Sequence, residues 1–439
     1  MWYHYTTIYQ IYPLGFCAAE RENSGGKREP RIRKVLDWIP HLQTLHAETI
    51  LFNPLFESDA HGYDTRDLRH LDRRLGSDDD LRFVCETLRE AGFRILFDGV
   101  FNHVGRGFFA FQDLLEKREN SAYKDWFYID FSNNNAYNDG LSYQGWEGHY
   151  NLVKLNLQNP EVRRYIFDAV AEWMDVYKIS GLRLDVAYTL DQDFLRALHA
   201  FCLEKDPEFL LIGEMITGDY NHLLGEGLCH SVTNYECAKG TLSAFNSHNL
   251  FEIAHSLQRQ FNDEPWALYH GVKTLLSFLD NHDTDRAASV LQNKKHLPLA
   301  YVLMFTQPGI PCVYYGSEWG AEGRRGPDSD WAVRPAYEHP EENSLTELIA
   351  RLNEIRRKHP ALAEGEYRTV HLNNEQFIFE RKSPDERILV AVNCADAPVT
   401  VHFDAGCGES EELLSGKTHD FGGGSELAPC SAEIWRMEK

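Results

Sequence analysis

The chain has 439 residues, of which 43% are hydrophobic and 25% are charged. This balance is typical of a globular protein, and the length suits one large barrel with a smaller domain. The formal net charge of −23 argues against anionic partners, namely nucleic acids and lipid surfaces, and is compatible with a neutral substrate. No apolar stretch approaches the roughly 20 residues that a transmembrane helix requires.

The nine cysteines are odd in number and show no paired short spacing. They therefore predict a reduced chain rather than a disulfide framework or a zinc site. The first 16 residues contain no basic segment followed by an apolar run and a cleavage site, so we expect no signal peptide. Both features favour a cytoplasmic protein.

Short apolar runs rich in β-branched and aromatic residues alternate along the chain with amphipathic segments. Helical patterns at 79–91, 160–178 and 191–205 lie between predicted strands. A strand followed by a helix, repeated eight times, predicts an α/β fold of the (β/α)₈ TIM-barrel type. The eight predicted strands are 8–14, 49–55, 94–100, 179–186, 209–215, 230–235, 274–279 and 310–315.

Two regions do not follow this repeat. Residues 101–159, rich in Asn, Gly, Tyr and Trp, are too long for a structureless loop and predict a subdomain inserted after the third strand. Beyond residue 360, alternating patterns at 376–381 and 387–393 predict a C-terminal antiparallel β-sandwich. The predicted units are a catalytic barrel at 1–102 and 157–362, the inserted subdomain at 103–156, and the β-sandwich at 363–439.

Several predicted strands end in a carboxylate. A single acidic residue after a strand is commonly a helix cap or turn former, but four strand ends meet at one mouth of such a barrel. Arg183 lies two residues before Asp185, so both side chains point to the same face of the strand. A barrel interior buries an arginine only with a carboxylate partner. The four strand ends carry Asp98, Asp185, Glu214, and Asp280 with Asp283.

Paired carboxyl groups are the equipment of glycoside hydrolysis. One carboxylate attacks the anomeric carbon or activates water, and one carboxylic acid protonates the leaving oxygen. Neighbouring carboxylates raise the pKa of the acid, which then stays protonated near neutral pH. His103 and His282 each adjoin a strand-end carboxylate motif, where an imidazole can bind sugar hydroxyls.

Four segments of the chain resemble, in order, the four signature regions of the α-amylase family of glycoside hydrolases. Two further segments, at 61–64 and 308–318, resemble those after the second strand and around the eighth. The resemblance covers residues 8–360. The four segments are Asp98-Gly-Val-Phe-Asn102-His103, Gly181-Leu-Arg183-Leu-Asp185, Gly213-Glu214 and Asn281-His282-Asp283.

The resemblance implies a retaining double displacement. Asp185 would be the nucleophile that forms a covalent glucosyl-enzyme. Glu214 would protonate the leaving oxygen and then deprotonate water. Asp283 would bind sugar hydroxyls and favour a distorted ring at the transition state. The two central carboxyl groups would then lie about 5–5.5 Å apart.

The resemblance also implies substrate-binding residues around this centre. Arg183 would orient Asp185, and His103 and His282 would bind hydroxyls of the sugar at the cleavage point. Tyr63 would stack beneath that sugar. Asp98 is counted with these residues as part of the scaffold of the site.

The chemistry that the resemblance implies requires no cofactor. A structural calcium ion is an open expectation, because Asn102 matches a frequent ligand position in the family. No acidic partner for it is evident in the insertion.

Further details resemble the branch of neopullulanases, cyclomaltodextrinases and maltogenic amylases. These are Leu152-Val-Lys154-Leu-Asn156 and the inserted segment 109–127. After Asp185 the chain lacks the Lys-His pair of endo-acting α-amylases. It also departs from the branch, since the first strand begins near Ile8 without the usual N-terminal β-domain, and Met215 and Ile216 replace a common aromatic pair.

The main prediction is a hydrolase that cleaves α-1,4 bonds, with some tolerance for α-1,6 bonds, in short maltooligosaccharides, cyclodextrins or related starch fragments. A 4-α-glucanotransferase on the same scaffold is the first alternative, with Tyr143, Trp146 and Tyr150 as candidate acceptor-site aromatics. A catalytically inactive sugar-binding or partner subunit is the second. The sequence leaves open chain length, linkage preference, a monomeric or homo-oligomeric state, and the role of the C-terminal domain.

Overall fold

The computed structural model of the chain describes residues 1–262, 266–269, 272–327 and 329–437. Eight parallel strands form one sheet in the order β6-β5-β4-β3-β2-β1-β8-β7, and a bridge from Thr233 to Leu276 joins its two ends. The predicted TIM barrel is therefore confirmed. Its strands are β1 (Ile8–Ile11), β2 (Thr49–Phe52), β3 (Arg94–Gly99), β4 (Gly181–Leu184), β5 (Leu210–Gly213), β6 (Ser231–Val232), β7 (Leu276–Ser277) and β8 (Ile310–Tyr314).

The observed strands are shorter than the predicted apolar runs. In β1, β2, β4, β5 and β8 every residue is buried, as expected when helices cover the outside of a parallel sheet. The predicted apolar runs extend past the last paired residue of each strand, because the first loop residues at the mouth of the barrel are also buried. Asp185 and Glu214, for example, follow β4 and β5 directly.

Helices follow most of the strands, and their ends match local sequence signals. Ser77 forms a capping box with Asp80, and Asn159 precedes Pro160 at the first helical position, both common helix starts. The predicted repeat is incomplete between β5 and β6, where the described chain forms only the 3₁₀ turn Tyr220–His222. The main barrel helices are Ile39–Thr44, Asp78–Glu90, Pro160–Glu172, Gln192–Lys205, Tyr235–Ser247, Phe251–Phe261, His296–Thr306 and Ser344–Lys358.

The insertion after β3 has secondary structure of its own. A helix, Phe109–Lys117, lies between the short strand His103–Gly105 and the longer strand His149–Lys154. These two strands pair antiparallel, and Gly145–Trp146 pairs with the second of them. The first strand begins at His103, so this small sheet starts at the mouth of the barrel.

The C-terminal region is antiparallel. A six-stranded sheet in the order β9-β10-β11-β16-β13-β14 faces the two-stranded sheet β12-β15, and the buried side chains of Ile378, Leu389 and Trp435 pack between them. The predicted β-sandwich is confirmed for the residues up to 437. Its strands are β9 (Glu366–Leu372), β10 (Gln376–Lys382), β11 (Arg387–Asn393), β12 (Val399–Val401), β13 (Glu409–Glu412), β14 (Thr418–Asp420), β15 (Ser425–Leu427) and β16 (Ser431–Met437).

Two buried arginines bind carbonyl groups at the base of the barrel, and one of them, Arg381, joins the sandwich to it. Arg381 in β10 donates to the carbonyl oxygens of Thr306 and Gly365 at 2.6 and 2.9 Å. Arg356 donates to the carbonyl oxygen of Gly309 at 2.6 Å. Thr306 ends a helix, where carbonyl groups lack helical partners and carry partial negative charge. The guanidinium groups therefore satisfy carbonyls that a hydrophobic interface would leave unpaired.

Gly309 allows β8 to lie directly against β7. Its φ is +138°, a backbone conformation that side chains disfavour. A Cβ atom there would lie 2.2 Å from Ser277 Oγ and 2.6 Å from the Leu275 carbonyl oxygen. The glycine therefore supports the pairing that completes the barrel.

Gly309→Ala is expected to lower the free energy of unfolding by about 1–3 kcal/mol more than Gly225→Ala, because only the first substitution creates a clash. Gly225 has a similar φ of +135° but no atom within 4 Å of an added Cβ. Denaturant titration of both variants measures the difference. Equal losses in the two variants would contradict the packing argument.

Candidate active site

One buried guanidinium group holds three carboxylates at the mouth of the barrel. Arg183 Nη1 donates to both carboxylate oxygens of Asp98 and to Asp185 Oδ1, each at 2.9 Å. Its Nη2 lies 2.6 Å from Glu214 Oε1. All four side chains are buried. Sequence analysis predicted a carboxylate partner for Arg183, and the structure has three such partners.

The parallel register brings these residues together. Arg183 in β4 lies opposite Asp98 in β3 and Ile212 in β5. The pairing continues past the strand ends, since the amide of Glu214 donates to the carbonyl oxygen of Leu184 at 2.9 Å. Because side chains alternate along a strand, Arg183 and Asp185 point to one face, and the neighbouring strands bring Asp98 and Glu214 beside them.

Asp98 has the contacts of a scaffold residue. Besides Arg183, its Oδ2 accepts hydrogen bonds from Asn53 Nδ2 at 3.0 Å and from the Tyr63 hydroxyl at 3.1 Å. Its two oxygens are thus occupied by protein donors. Asp98 therefore anchors Arg183 and Tyr63.

A second charged group lies across the mouth. Asp283 Oδ1 accepts from Arg334 Nη2 at 2.8 Å, and Asp283 Oδ2 lies 2.9 Å from His282 Nε2. Burial opposes the charge, but His282 and Arg334 outweigh it and lower the pKa of Asp283 far below its usual range. The Asp283 side chain is 33% exposed, so its carboxylate faces the cleft as a fixed anion.

The pKa values of Glu214 and Asp185 shift in the opposite direction from that of Asp283. Burial raises the pKa of Glu214, and the nearby Asp283 carboxylate adds to this effect while Arg183 opposes it. Burial also raises the pKa of Asp185, and the Glu214 charge adds to it. Two adjacent carboxyl groups resist simultaneous ionisation, as in other carboxyl dyads. The pair therefore tends to keep one proton, which gives one acid and one base.

Two imidazoles and a phenol complete the mouth. His103 Nε2 lies 3.9 Å from Asp185 Oδ2, and burial lowers the pKa of His103 to about 3, so the ring is neutral. His282 Nδ1 is 3.1 Å from Gln10 Nε2, and His282 Nε2 also bonds to the Tyr63 hydroxyl. The Tyr63 and His282 rings are nearly parallel, with centroids 5.5 Å apart. Gln10 therefore fixes the orientation of His282.

These groups face one cleft of about 1570 Å³. The lining includes neutral polar and apolar side chains as well as acids, which suits a neutral ligand with hydroxyl groups. Arg183, Asp98, Asn102 and His282 are not part of the lining; they lie behind it. The sequence-predicted residues that line the cleft are Tyr63, His103, Asp185, Glu214 and Asp283.

Sequence analysis missed Arg334 and was wrong about two aromatic residues. Arg334 lies 51 positions from Asp283, and no spacing in the sequence marks it. Tyr143, a candidate for the acceptor site, is buried and packs its ring against Phe111 inside the insertion. Tyr150, a second candidate, does not line the cleft, and its ring packs against that of Tyr143. Trp146 does line the cleft. Tyr143 was misassigned because a partly exposed cleft aromatic and a core aromatic look alike in a short irregular segment.

The residues around Asn102 fit a calcium ion only in part. Asn102 Oδ1 is buried without a hydrogen-bond partner, and Asn102 Nδ2 lies 3.1 Å from His103 Nδ1. Calcium requires 6–8 oxygen ligands, usually with carboxylates among them. Across the part of the chain that the structure describes, no three His, Cys, Asp or Glu side chains are grouped to hold a metal. A single amide oxygen does not make such a site.

Within the described ranges, no helix combines the length and apolar character needed to cross a bilayer.

The sequence and the structure of the chain are similar to those of known proteins. The alpha-amylase catalytic-domain profile matches residues 10–333. Neopullulanase 2 of Thermoactinomyces vulgaris is 31% identical over 89% of this chain and 70% of its own length. The intracellular maltogenic amylase of Bacillus subtilis is 28% identical over 89% of this chain and 68% of its own. A solved cyclomaltodextrinase superposes with a TM-score of 0.87 at 26% identity, over 99% of this chain and 78% of its own.

Arg183→Met is expected to lower the free energy of unfolding by about 3–5 kcal/mol at neutral pH, because it leaves buried carboxylates without their cation. The unpaired acids would have folded-state pKa values above their unfolded values. The penalty should therefore shrink as pH falls and the acids become protonated. Denaturant titration at pH 5 and pH 7 measures both effects.

The control is Arg31→Met, which breaks surface pairs with Glu20 and Glu29 and should cost less than about 1 kcal/mol. A loss in Arg183→Met no larger than in this control, or one independent of pH, would contradict the electrostatic account.

Proposed function

The chain belongs to the alpha-amylase family, and from that premise we propose that it is a retaining hydrolase of α-1,4-glucosidic bonds in short α-glucans. Membership of the family follows from the profile match over residues 10–333 and from the relative that is 31% identical. The chain is thus an α-glucan-acting glycoside hydrolase. The roles of its residues and its preferred substrates are the content of the proposal.

The observation that carries the proposal is the shared guanidinium between Asp185 and Glu214. Arg183 contacts both side chains, at 2.9 and 2.6 Å, so the two carboxyl groups are neighbours. Retaining enzymes use carboxyl groups about 5–5.5 Å apart, whereas inverting enzymes need a wider gap that admits a water molecule. The contact of both side chains with one guanidinium group supports their pairing as nucleophile and acid.

In the first step, an Asp185 carboxylate oxygen attacks the anomeric carbon. The bond from that carbon to the glycosidic oxygen breaks, and Glu214 transfers its proton to the leaving oxygen. Burial, which raises the pKa of Glu214, keeps that proton available. The product of this step is a glucosyl ester of Asp185.

In the second step, Glu214 acts as the base. It removes a proton from a water molecule, and the resulting hydroxide attacks the anomeric carbon and displaces Asp185. Two inversions give net retention, and both carboxyl groups return to their starting protonation states. The amide of Val186 donates to Glu214 Oε2 at 2.8 Å, which keeps the same side chain in place for both transfers.

The remaining groups bind the sugar at the cleavage point. Asp283, held ionised by His282 and Arg334, accepts hydrogen bonds from sugar hydroxyls and stabilises the positive charge that develops on the ring. His103, whose Nε2 has no hydrogen-bond partner in the protein, binds a further hydroxyl, and the Tyr63 ring provides an apolar surface. His282 acts through Asp283 and Tyr63, which it contacts. No step requires a metal ion.

Short maltooligosaccharides and cyclodextrins are the proposed substrates, with some cleavage of α-1,6 bonds. The names of the similar proteins, neopullulanase, maltogenic amylase and cyclomaltodextrinase, support this choice. One relative is named intracellular, and all nine cysteines are free, both in keeping with a cytoplasmic location. The proposed substrate is therefore a soluble α-glucan oligosaccharide.

Glu214→Gln is expected to lower kcat on maltotriose by about 10²–10⁴-fold, because the amide transfers no proton. Glu226→Gln is the matched control, since Glu226 is exposed in the loop that follows β5 and its loss should leave kcat unchanged. Steady-state kinetics measures both variants. Full activity in Glu214→Gln would contradict the assigned role.

Chromatographic time courses on maltotriose, maltoheptaose, β-cyclodextrin, panose and pullulan test the substrate class. Loss of the cyclodextrin and short chains to maltose and glucose is the expected result. Products longer than the starting sugar would favour the 4-α-glucanotransferase alternative, in which a second sugar intercepts the glucosyl-enzyme. If the wild type cleaves none of these five substrates, the proposed function is contradicted.

The dependence of kcat/KM on pH should be bell-shaped. Activity falls on the alkaline side as Glu214 loses its proton, and this limb should lie above the ordinary glutamate range because burial raises the pKa of Glu214. Activity falls on the acid side as Asp185 becomes protonated. Initial rates with maltotriose, corrected for enzyme stability at each pH, measure the profile. An alkaline limb at or below the usual glutamate pKa would contradict it.

A further inference from the structure

A chain of side-chain hydrogen bonds, here called the amide chain, runs from β3 past β2 and β1 to the segment after β7. Asp98 in β3 accepts from Asn53 Nδ2 at 3.0 Å. Asn53, which follows β2, accepts at Oδ1 from Gln10 Nε2 of β1 at 2.9 Å. The same Gln10 nitrogen lies 3.1 Å from His282 Nδ1. All four side chains are buried and lie behind the lining of the cleft.

The direction of each hydrogen bond follows from the carboxylate at the start of the amide chain. Both oxygens of Asp98 accept from Arg183, so Asn53 must turn its NH₂ group toward Asp98. The carbonyl oxygen of Asn53 then faces Gln10, which must present its own NH₂ group. That group has two hydrogens, one for Asn53 and one for His282 Nδ1. Nδ1 of His282 is therefore an acceptor, and the neutral ring carries its hydrogen on Nε2.

Two contacts on the other side of the ring require the same tautomer. His282 Nε2 lies 2.9 Å from Asp283 Oδ2, an acceptor, and also contacts the Tyr63 hydroxyl. Tyr63 gives its only hydroxyl hydrogen to Asp98 Oδ2 at 3.1 Å, so its oxygen accepts from the ring. Both routes from Asp98, through the amide chain and through Tyr63, thus leave the Nε2–H group directed at Asp283.

We propose that two buried amides act as positioning groups and hold His282 as a neutral donor to Asp283. They are the side chains of Asn53 and Gln10. The inference rests on the proposed function and deepens it, because Asp283 must remain an anion to stabilise the positive charge of the transition state. A second hydrogen on Nδ1 would face the Gln10 NH₂ group, so the amide chain opposes a cationic ring. A cationic ring would cancel much of the negative charge of Asp283.

Charged and titratable groups face the His282 ring from several elements of the fold. Asp283 and Tyr63 contact Nε2, whereas the contact at Nδ1 is the uncharged amide of Gln10. Substitution of Gln10 therefore changes the surroundings of Nδ1 and leaves the charged neighbours in place. The titratable and charged groups that face His282 are Asp283, Arg334, Glu214, Tyr12 and Tyr63.

Gln10→Glu reverses the amide chain at its centre with little change in shape. A carboxylate cannot donate to His282 Nδ1 and instead accepts a hydrogen from it, so the ring should become cationic. We expect kcat on maltotriose to fall about ten-fold with little change in KM, because the charge of Asp283 acts in the transition state. Steady-state kinetics measures both constants.

Gln260→Glu is the matched control for the effect of burying an acid. Gln260 is also fully buried and also pairs with an amide, because Asn234 Nδ2 donates to its Oε1 at 2.8 Å. It does not line the cleft, so its substitution should leave kcat unchanged. Gln10→Met is the second variant if Gln10→Glu folds poorly. It removes the donor without adding a charge, and its His282 ring should gain the Nδ1 hydrogen at a higher pH than in the wild type.

A spectroscopic readout separates positioning from packing. In protein labelled with ¹⁵N-histidine, the His282 ring signals, assigned with His282→Asn, should show a hydrogen on Nε2 and none on Nδ1 at neutral pH. In Gln10→Glu both ring nitrogens should carry hydrogen. A wild-type ring with hydrogen on Nδ1, or ring signals that match the wild type in every folded Gln10 variant, would overturn the inference. The expected ring signals in a wild type that does not cleave maltotriose would instead overturn the proposed function.

Discussion

The fold around this site depends on one buried cation. A guanidinium group in a barrel interior is costly unless carboxylates surround it, and Arg183 has Asp98, Asp185 and Glu214 as partners. These acids come from β3, β4 and β5, so the electrostatic requirement of one side chain constrains the register of three strands. The same arrangement that satisfies Arg183 brings two acids together at the mouth of the barrel.

The acids at the mouth of the barrel fall into two groups, whose pKa values shift in opposite directions because their surroundings differ. Asp185 and Glu214 share one cation, and burial raises the pKa of each. Asp283 has Arg334 and His282 at 2.8 and 2.9 Å, which lower its pKa. Gly15 contributes to this division, because a Cβ there would lie 2.1 Å from the Arg334 carbonyl oxygen. Because Gly15 has no Cβ atom, the segment that contains Arg334 can pack against the start of the chain.

The sequence predicted those parts of the site that follow from local patterns. Strand-end carboxylates and the two-residue spacing of Arg183 and Asp185 were visible because strands alternate sides and barrels place loops at one end. Arg334 was not visible, since only the folded chain brings it beside Asp283. The short turn Tyr220–His222 also broke the predicted repeat, because a barrel tolerates a missing helix where loops and neighbouring helices cover the strand.

The central claim is that Asp185 becomes covalently bonded to the substrate. Incubation with a 5-fluoro-α-glucosyl fluoride, whose ring fluorine slows turnover of the intermediate, followed by peptide mass spectrometry, tests this claim directly. The account predicts one added 5-fluoroglucosyl group, formed with release of the anomeric fluoride, on the peptide that contains Asp185, and none in Asp185→Asn. A label on Glu214 or Asp283, or an active enzyme that forms no adduct and releases inverted product, would contradict it.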